Sequence, residues 1–311
     1  MNETAGSGRE QPSAAADPTA HGYVRPGLVI ETEELEARLG EPVLRIIDCD
    51  IFLDRQPDGG YIVRSALDAW VEAHIPGSIY VDLSDELAGD HPYLRFMLPT
   101  ASRFERVMSG KGIGNQHDVV VYSRGINYWA TRLFLMFQTF GFDNIRVLNG
   151  GFDKWRQEGR PLTDETVTYP AARFLAGTGP RYIVGQEEVL DALENPRISL
   201  VNALPPAVHS GERLIPNYHR RGHIKGSVNV YAADLADPED RTFKPADELR
   251  SSFEEVGVLE SERIITYCGG GISATTDAFT LLLLGHEDVA VYDGSMSEWG
   301  GDPNLPLEVG S

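Results

Sequence analysis

Residues 264–284 read Ile-Ile-Thr-Tyr-Cys-Gly-Gly-Gly-Ile-Ser-Ala-Thr-Thr-Asp-Ala-Phe-Thr-Leu-Leu-Leu-Leu and combine a strand, a turn and a helix. The β-branched and aromatic run before Cys268 predicts a short strand buried on both faces. Good helix formers with a broadly apolar character predict a buried helix from Ala274 to Leu284. Strand–turn–helix units of this kind indicate an α/β domain with a mostly parallel sheet flanked by helices.

The same arrangement occurs earlier in the chain, where Val119-Val-Val-Tyr-Ser123 precedes another apolar helical segment that begins at Tyr128. Further matches occur in the same order in both halves. The matched segments are 43–48 with 198–202, 74–79 with 223–228, 99–123 with 245–268, and 141–150 with 285–294. Four matches in one order predict two copies of a duplicated domain.

Changes of composition along the chain predict the domain boundaries. Residues 1–22 are small, polar and without periodicity, which predicts a disordered tail. The first domain is predicted over 23–165 and the second over 180–311, with a linker at 166–179 that contains proline and glycine. The end of the second domain, at 300–311, holds two prolines and also reads as a tail.

The overall composition excludes several classes of protein. The 311 residues include 47 acidic and 27 basic ones, and the formal net charge of −20 argues against a protein that coats nucleic acid or an anionic membrane. No apolar run reaches the roughly 18 residues that span a bilayer, and the amino terminus lacks the apolar core of a signal peptide. The two cysteines, Cys49 and Cys268, exclude a disulfide scaffold and an all-cysteine metal site. They predict a reducing, cytoplasmic setting, and no cofactor is predicted.

Cys268 is the residue at which the sequence predicts chemistry. In an open α/β sheet, ligands bind at the carboxyl ends of the strands, where this cysteine is predicted to lie. The three glycines allow several backbone N–H groups to point at one centre, and the start of the following helix adds further free N–H groups. Both effects favour the thiolate over the thiol. The matching residue of the first copy is Ser123, which has no neighbouring base, so we expect that copy to be catalytically silent.

The order of elements, the paired His-Ile-x-Gly-Ser segments at His74 and His223, and the Cys-Gly-x-Gly-Ile-Ser-Ala loop resemble the two-domain rhodanese family, the thiosulfate and 3-mercaptopyruvate sulfurtransferases. The resemblance covers residues 23–305. It implies two tandem rhodanese-like domains, of which only the second is catalytic. Cys268 would take a sulfane sulfur from an anionic donor, hold it as a persulfide and pass it to a thiol or to cyanide. The resemblance further implies a backbone cradle for this sulfur, made by Gly269, Gly270, Gly271, Ile272, Ser273 and Ala274.

The loop departs from both types of the family in its polar residues. Thiosulfate-type loops usually carry cationic side chains beside the cysteine, and this neutral loop is closer to the mercaptopyruvate type. That type usually has a serine at the position of Gly270 and an arginine shortly after the strand that ends near Asn202, and both are missing here. An anionic donor still needs a cation. The candidates near the predicted cleft are Arg221 first and Arg213 second, followed by Arg220 and Lys225.

Two other functions fit parts of the pattern. The alternative to the enzyme is a rhodanese-like module that carries or senses sulfur for a partner, with little turnover of small donors. A cysteine phosphatase built on the related scaffold would need an arginine that closes the loop, and residues 269–276 contain none.

The remaining cysteine and histidines are predicted to be structural. Cys49 ends a buried strand and is expected to pack as a small apolar side chain. His74 and His223 occupy matching positions in both copies, which favours a hydrogen-bonding role over catalysis. His219 is four residues from His223, but Pro216 and Gly222 disfavour a helix in this segment, so no metal site is predicted.

Overall fold

The computed structural model describes residues 21–310, which form two α/β units of similar build. Of the predicted tail at 1–22, residues 1–20 lie outside the described residues. The strands of the first unit are β1 (Val29–Ile30), β2 (Leu44–Asp48), β3 (Ile51–Arg55), β4 (Tyr61–Ser65), β5 (Ser78–Tyr80), β6 (Asp118–Tyr122) and β7 (Ile145–Leu148). Its helices are α1 (Thr32–Ala37), α2 (Leu67–Glu72), α3 (Ala101–Gly110), α4 (Tyr128–Thr139) and α5 (Gly151–Gln157).

The second unit repeats this succession of elements. Its strands are β8 (Ile183–Val184), β9 (Ile198–Asn202), β10 (His223–Ile224), β11 (Val228–Asn229), β12 (Arg263–Tyr267), β13 (Val289–Tyr292) and β14 (Leu307–Glu308). Its helices are α6 (Gln186–Leu193), α7 (Pro206–His209), α8 (Ala246–Glu254), α9 (Ala274–Leu283) and α10 (Ser295–Trp299). Short 3-10 turns lie at Pro26–Leu28, Pro216–Tyr218 and Ala232–Leu235. Between residues 21 and 310, no helix is both long and apolar enough to cross a bilayer.

A five-stranded parallel sheet forms the centre of each unit. The strand order is β1-β7-β6-β2-β5 in the first sheet and β8-β13-β12-β9-β11 in the second. The middle strands pair over five positions in each case, β6 with β2 and β12 with β9. These matching orders confirm the predicted duplicated α/β fold with parallel sheets. They also place Ser123 and Cys268 directly after the central strand of their respective sheets.

Helices α4 and α9 pack against each other and join the two units. The rings of Phe134 and Phe279 meet edge to face with centroids 4.9 Å apart, and the hydroxyl of Thr131 lies 3.2 Å from that of Thr276. Each of these pairs joins equivalent positions, 11 and 8 residues after Ser123 or Cys268. Contacts between equivalent positions are typical of a twofold arrangement, so the two copies pair as a symmetric dimer does.

Two segments outside the five-stranded sheets pack against the domains. Residues 164–182, which include the predicted linker, contain no helix or strand and run along the first unit, where Phe174 is buried. The prediction of a tail at 300–311 was wrong for the residues up to 310. Leu307–Glu308 forms strand β14, which pairs antiparallel with β10, and the Trp299 Nε1–H group donates to the carbonyl of Pro306 at 3.0 Å. The prolines prevent a helix there, but a two-residue strand can begin immediately after Pro306.

Candidate active site

Cys268 follows β12 at the carboxyl edge of the second sheet and is only 2% exposed. Helix α9 begins six residues later, and the hydroxyl of Thr266 donates to the carbonyl of Ala274 at 2.8 Å. This bond fixes the start of the helix to the end of the strand. The intervening loop must therefore curl back on itself above the sheet, as the glycines predict.

Ser295, at the start of α10, holds the loop from one side. Its hydroxyl oxygen accepts hydrogen bonds from the N–H groups of Cys268 and Gly271, both at 3.1 Å, and donates to the carbonyl of Tyr292 at 2.7 Å. Gly271 has a φ of +72°, and a Cβ atom there would lie 2.6 Å from the carbonyl oxygen of Asp293. Gly271 is thus required by backbone geometry. Its N–H group binds Ser295, so Gly271 is not among the loop residues with a free N–H group.

The other predicted cradle residues keep their N–H groups free. Within the described part of the chain, the backbone N–H groups of five loop residues donate to no protein acceptor, namely Gly269, Gly270, Ile272, Ser273 and Ala274. The loop carbonyls point to α10 instead, since the Cys268 oxygen accepts from Met296 N–H at 3.0 Å and the Gly269 oxygen from Ser297 N–H at 2.9 Å. Carbonyls on one side and free N–H groups on the other give a site suited to an anion.

Arg132 of the first unit reaches across the domain boundary into this loop. Its side chain is completely buried on α4, and its Nη1 group donates to the Gly271 carbonyl at 3.3 Å. Its Nη2 atom donates to the Phe96 carbonyl at 2.5 Å and lies 2.7 Å from Asp293 Oδ1. The other Asp293 oxygen accepts from Leu98 N–H at 2.7 Å. The first unit thus supplies the counter-charge of Asp293, which packs under Gly271, and this contribution was not predicted from the sequence.

Asp277 is the equivalent of Arg132 in the second copy, since each lies nine residues after Cys268 or Ser123. Its side chain is fully buried, and neither carboxyl oxygen has a hydrogen-bond partner among residues 21–310. Burial raises the pKa of Asp277 well above its usual range, and the negative charge of a Cys268 thiolate raises it further. Both effects favour the neutral, protonated form of Asp277.

Two tyrosines lie near the cysteine, and a third lies near them. Burial raises the pKa of Tyr218 and of Tyr128, and in both cases a charged Cys268 contributes to the increase. Tyr231 lies beside Tyr128, whose pKa it also raises. All three phenols are therefore protonated and can act only as hydrogen-bond donors to an anion in the site. The sequence analysis identified none of them.

The four candidate cations occupy different environments. Arg213 lies close enough to Tyr218 and Tyr231 to oppose the increase in their pKa values, which places it beside the cysteine site. The guanidinium of Arg221 is exposed and donates to the carbonyls of Gly211 and Glu212 at 3.0 and 2.7 Å. Arg220 donates to four carbonyls, those of Trp299, Gly300, Asp302 and Leu305, and Lys225 is exposed. Among these four, the charge of Arg213 is the one that acts on Tyr218 and Tyr231, whereas the guanidinium groups of Arg220 and Arg221 bind backbone carbonyls.

The equivalent loop of the first unit is closed by its own side chains. Arg124 pairs with Asp48 at 2.9 Å and donates to the carbonyls of Ala69 and Ala73 at 3.2 and 3.0 Å. Ser123 is buried, and in the described chain its hydroxyl has no hydrogen-bond partner. Cys49 is completely buried, as predicted, and burial raises its pKa well above the usual range.

The histidines singled out in the sequence also have structural surroundings. The Nδ1 atom of His74 lies 2.7 Å from the Trp70 carbonyl, and that of His223 lies 2.8 Å from the His209 carbonyl. These bonds agree with the predicted hydrogen-bonding role. In the segment 21–310, no three His, Cys, Asp or Glu side chains are grouped as metal ligands.

Comparison with known proteins gives concordant matches for both units. The family model "Rhodanese-like domain" matches residues 31–158 and 185–302. Thiosulfate sulfurtransferase of Mus musculus is 35% identical over 266 residues, which are 84% of this chain and 86% of the relative. The sulfur carrier protein TtuD of Thermus thermophilus is 31% identical over 300 residues, covering 93% and 99% of the two chains.

A solved structure agrees with these sequence matches. It is SseA of Escherichia coli, described with the rhodanese fold and catalytic mechanism of 3-mercaptopyruvate sulfotransferases. It superimposes with a TM-score of 0.76 at 28% identity, over 86% of this chain and 98% of SseA. The chain therefore belongs to the rhodanese family and carries two rhodanese-like domains in tandem.

Proposed function

We propose that the second domain is a sulfurtransferase centre in which Cys268 carries sulfane sulfur as a persulfide. The Cys268 thiolate attacks the outer sulfur of the donor, and a new S–S bond forms while the donor's bond to that sulfur breaks. With thiosulfate as donor, sulfite leaves with the electron pair of the broken bond. With 3-mercaptopyruvate as donor, the enolate of pyruvate leaves with that pair and takes a proton from water. A thiolate or cyanide acceptor attacks the terminal sulfur, and Cys268 leaves as the regenerated thiolate.

One observation carries this proposal: Cys268 lies in a buried loop where five backbone N–H groups have no acceptor in the described chain. Preorganised N–H groups stabilise an anion without the cost of reorienting solvent. The thiolate and the terminal sulfur of the persulfide are both anions that fit such a cradle.

The donor is an anion in both cases, thiosulfate or 3-mercaptopyruvate, and Arg213 is the proposed cation that attracts it. Arg213 is exposed and its charge acts on Tyr218 and Tyr231 beside the cysteine. Arg220 is already committed to four backbone carbonyls and Arg221 to two. An unengaged guanidinium near the site is the one able to bind an incoming carboxylate or sulfonate.

A second candidate function is that of a sulfur carrier whose acceptor is a partner protein. The similarity to the sulfur carrier protein TtuD over nearly the whole of both chains favours it. The chemistry at Cys268 would be the same, but the persulfide would persist until the partner arrived, and small acceptors would be turned over slowly.

The experiment that tests both functions is sulfur loading followed by turnover. The protein is incubated with thiosulfate or with 3-mercaptopyruvate, and the intact mass is measured for one added sulfur atom before cyanide or a dithiol is supplied. We expect one added sulfur in the Cys49→Ala variant and none in Cys268→Ser. Loading followed by rapid turnover supports the enzyme, and loading without turnover supports the carrier. No loading from either donor, with Cys268 reduced, contradicts both.

The role of Arg213 has a matched control in Arg221. Arg213→Gln should raise the KM for the donor about tenfold or more, because a charge-assisted contact with the substrate is lost. Arg221→Gln should leave this KM unchanged. Equal effects of the two substitutions would refute the assignment of Arg213.

A further inference from the structure

Tyr218 occupies the space next to the cysteine that a side chain at position 269 would need. A Cβ atom on Gly269 would collide with the Oη, Cζ and Cε1 atoms of Tyr218. The phenol is therefore in van der Waals contact with the backbone of the residue that follows Cys268. By contrast, a Cβ atom on Gly270 would meet its nearest neighbour, Ser297 Oγ, only at 4.0 Å. The close approach is thus specific to Gly269 and places the tyrosine hydroxyl against the backbone of the residue that follows Cys268.

The hydroxyl of Tyr218 is available as a donor. Among residues 21–310, no protein atom accepts a hydrogen bond from it, and the side chain is only partly buried, so the hydroxyl is free to bind a group in the site. Burial, and secondarily the charge of Cys268, raise the pKa of Tyr218, so the phenol keeps its proton and can only donate to an anion.

The position of Tyr218 is fixed by the same helix that holds the cysteine loop. The backbone N–H of Arg220 donates to the Tyr218 carbonyl at 2.6 Å, and the Arg220 guanidinium is anchored to carbonyls at the end of α10. Ser295 of α10 holds the other side of the loop through the N–H groups of Cys268 and Gly271. The tyrosine and the loop therefore share one support, which keeps a donor and its acceptor in a constant geometry.

We infer that Tyr218 is a catalytic residue that donates a hydrogen bond to the sulfur anion carried by Cys268, both as thiolate and as the terminal sulfur of the persulfide. This inference rests on the proposed sulfur transfer for its second half. No bond to the phenol forms or breaks, and the proton stays on Tyr218 throughout. The loop itself has no cationic side chain beside the cysteine, so a neutral donor from another segment stabilises the charge.

The test is Tyr218→Phe, which removes only the hydroxyl, measured in the Cys49→Ala background so that Cys268 is the single thiol. The first measurement is the rate of Cys268 alkylation by iodoacetamide between pH 5 and 10. We expect its midpoint to move upward by about one pH unit, because one charge-assisted hydrogen bond to the thiolate is lost. The second is kcat/KM for sulfur transfer, which should fall about tenfold or more.

The matched control is Tyr182→Phe, which makes the same change before β8, at the opposite end of the second sheet, and should alter neither value. Gly269→Ala provides an independent perturbation, since its methyl group must push the tyrosine off the loop, and it should also raise the alkylation midpoint. An unchanged midpoint in Tyr218→Phe overturns the inference, and so does a Gly269→Ala variant that folds and alkylates as the parent does.

The two proposals fail in distinguishable ways. If the parent protein takes up no sulfur from either donor, the proposed function fails, but the alkylation profile still reports whether Tyr218 binds the thiolate. If sulfur is loaded and transferred at the same kcat/KM by the parent and by Tyr218→Phe, the proposed function stands and the role of Tyr218 is refuted.

Discussion

Substitution of Arg132 with methionine tests how far the first domain supports the loop that follows Cys268. Arg132 is completely buried, and the side chain of its partner Asp293 is only 6% exposed. Methionine preserves much of the volume and the apolar stem but leaves the Asp293 carboxylate with a single donor, Leu98 N–H. The carbonyls of Phe96 and Gly271 lose their guanidinium donor as well.

The expected cost follows from this burial. Breaking a buried ion pair by removing one partner costs about 3–5 kcal/mol, mainly because the remaining charge is uncompensated. The Arg132–Asp293 contact of 2.7 Å is not aligned as a hydrogen bond, so we expect the lower end, about 3 kcal/mol. The double variant Arg132→Met/Asp293→Asn should cost less than Arg132→Met alone, because it buries no unpaired charge.

The assay is urea unfolding of the parent, both single variants and the double variant, combined with the rate of Cys268 alkylation. Arg146→Met is the matched control, since the side chains of the Arg146–Glu34 pair are 24% and 50% exposed and the pair should contribute less than about 1 kcal/mol. A cost for Arg132→Met no greater than that of Arg146→Met would refute the reasoning. Strictly additive single substitutions would refute the coupling between the two charges.

Three further predictions concern the glycine loop, the buried histidine pair and the second cysteine. Gly271→Ala should lower the free energy of unfolding by at least about 1–3 kcal/mol, because φ is +72° and the new methyl group meets the Asp293 carbonyl. Gly270→Ala should change it by less than about 0.5 kcal/mol, and chemical denaturation measures both. Burial, together with the charge of His223, lowers the pKa of His209 to about 4, below the roughly 6.5 of a histidine in the unfolded chain. The contribution of neutral His209 to stability is therefore complete above pH 6.5 and is lost as the pH falls to 4. In His209→Phe this part of the pH dependence, up to about 3 kcal/mol, should vanish from denaturation curves measured between pH 4 and 7. Cys49→Ala should retain the full rate of sulfur transfer, and a loss of transfer in this variant would contradict the assignment of Cys49 to packing.

The parts of the molecule that the sequence predicts are those encoded by local patterns. The strand before Cys268 and the helix after it could be predicted because a β-branched run, three glycines and a run of helix formers follow one another without interruption. The duplication could be predicted because matched segments recur in the same order in both halves of the chain. Both signals come from contiguous residues, and the fold depends chiefly on them.

The parts that could not be predicted depend on residues brought together by the packing of distant segments. Arg132 lies in an apolar helix, and a lone charge there is a signal of a buried partner, but only the packing of α4 on α9 identifies Asp293 as that partner. Tyr218 lies in an irregular segment whose path is set by four hydrogen bonds of the Arg220 guanidinium. The choice of Arg221 over Arg213 as the donor-binding cation has no support from the structure for the same reason. Proximity to His223 in the sequence does not determine where a side chain in a loop points.

Because Arg132 and Asp277 are equivalent, a second copy of the Cys268 domain could not supply the cation that the first domain provides. Two catalytic domains docked through α9 in the same manner would set Asp277, in place of Arg132, toward the Asp293 of the other domain. Each Asp293 would then face an acid in the position of its cation, and two Gly271 carbonyls would lose a donor. Self-association of the catalytic half is thereby disfavoured, and the protein is in effect an obligate heterodimer whose subunits are joined in one polypeptide. The difference between the two copies thus gives the second one a buried cation that it could not provide for itself.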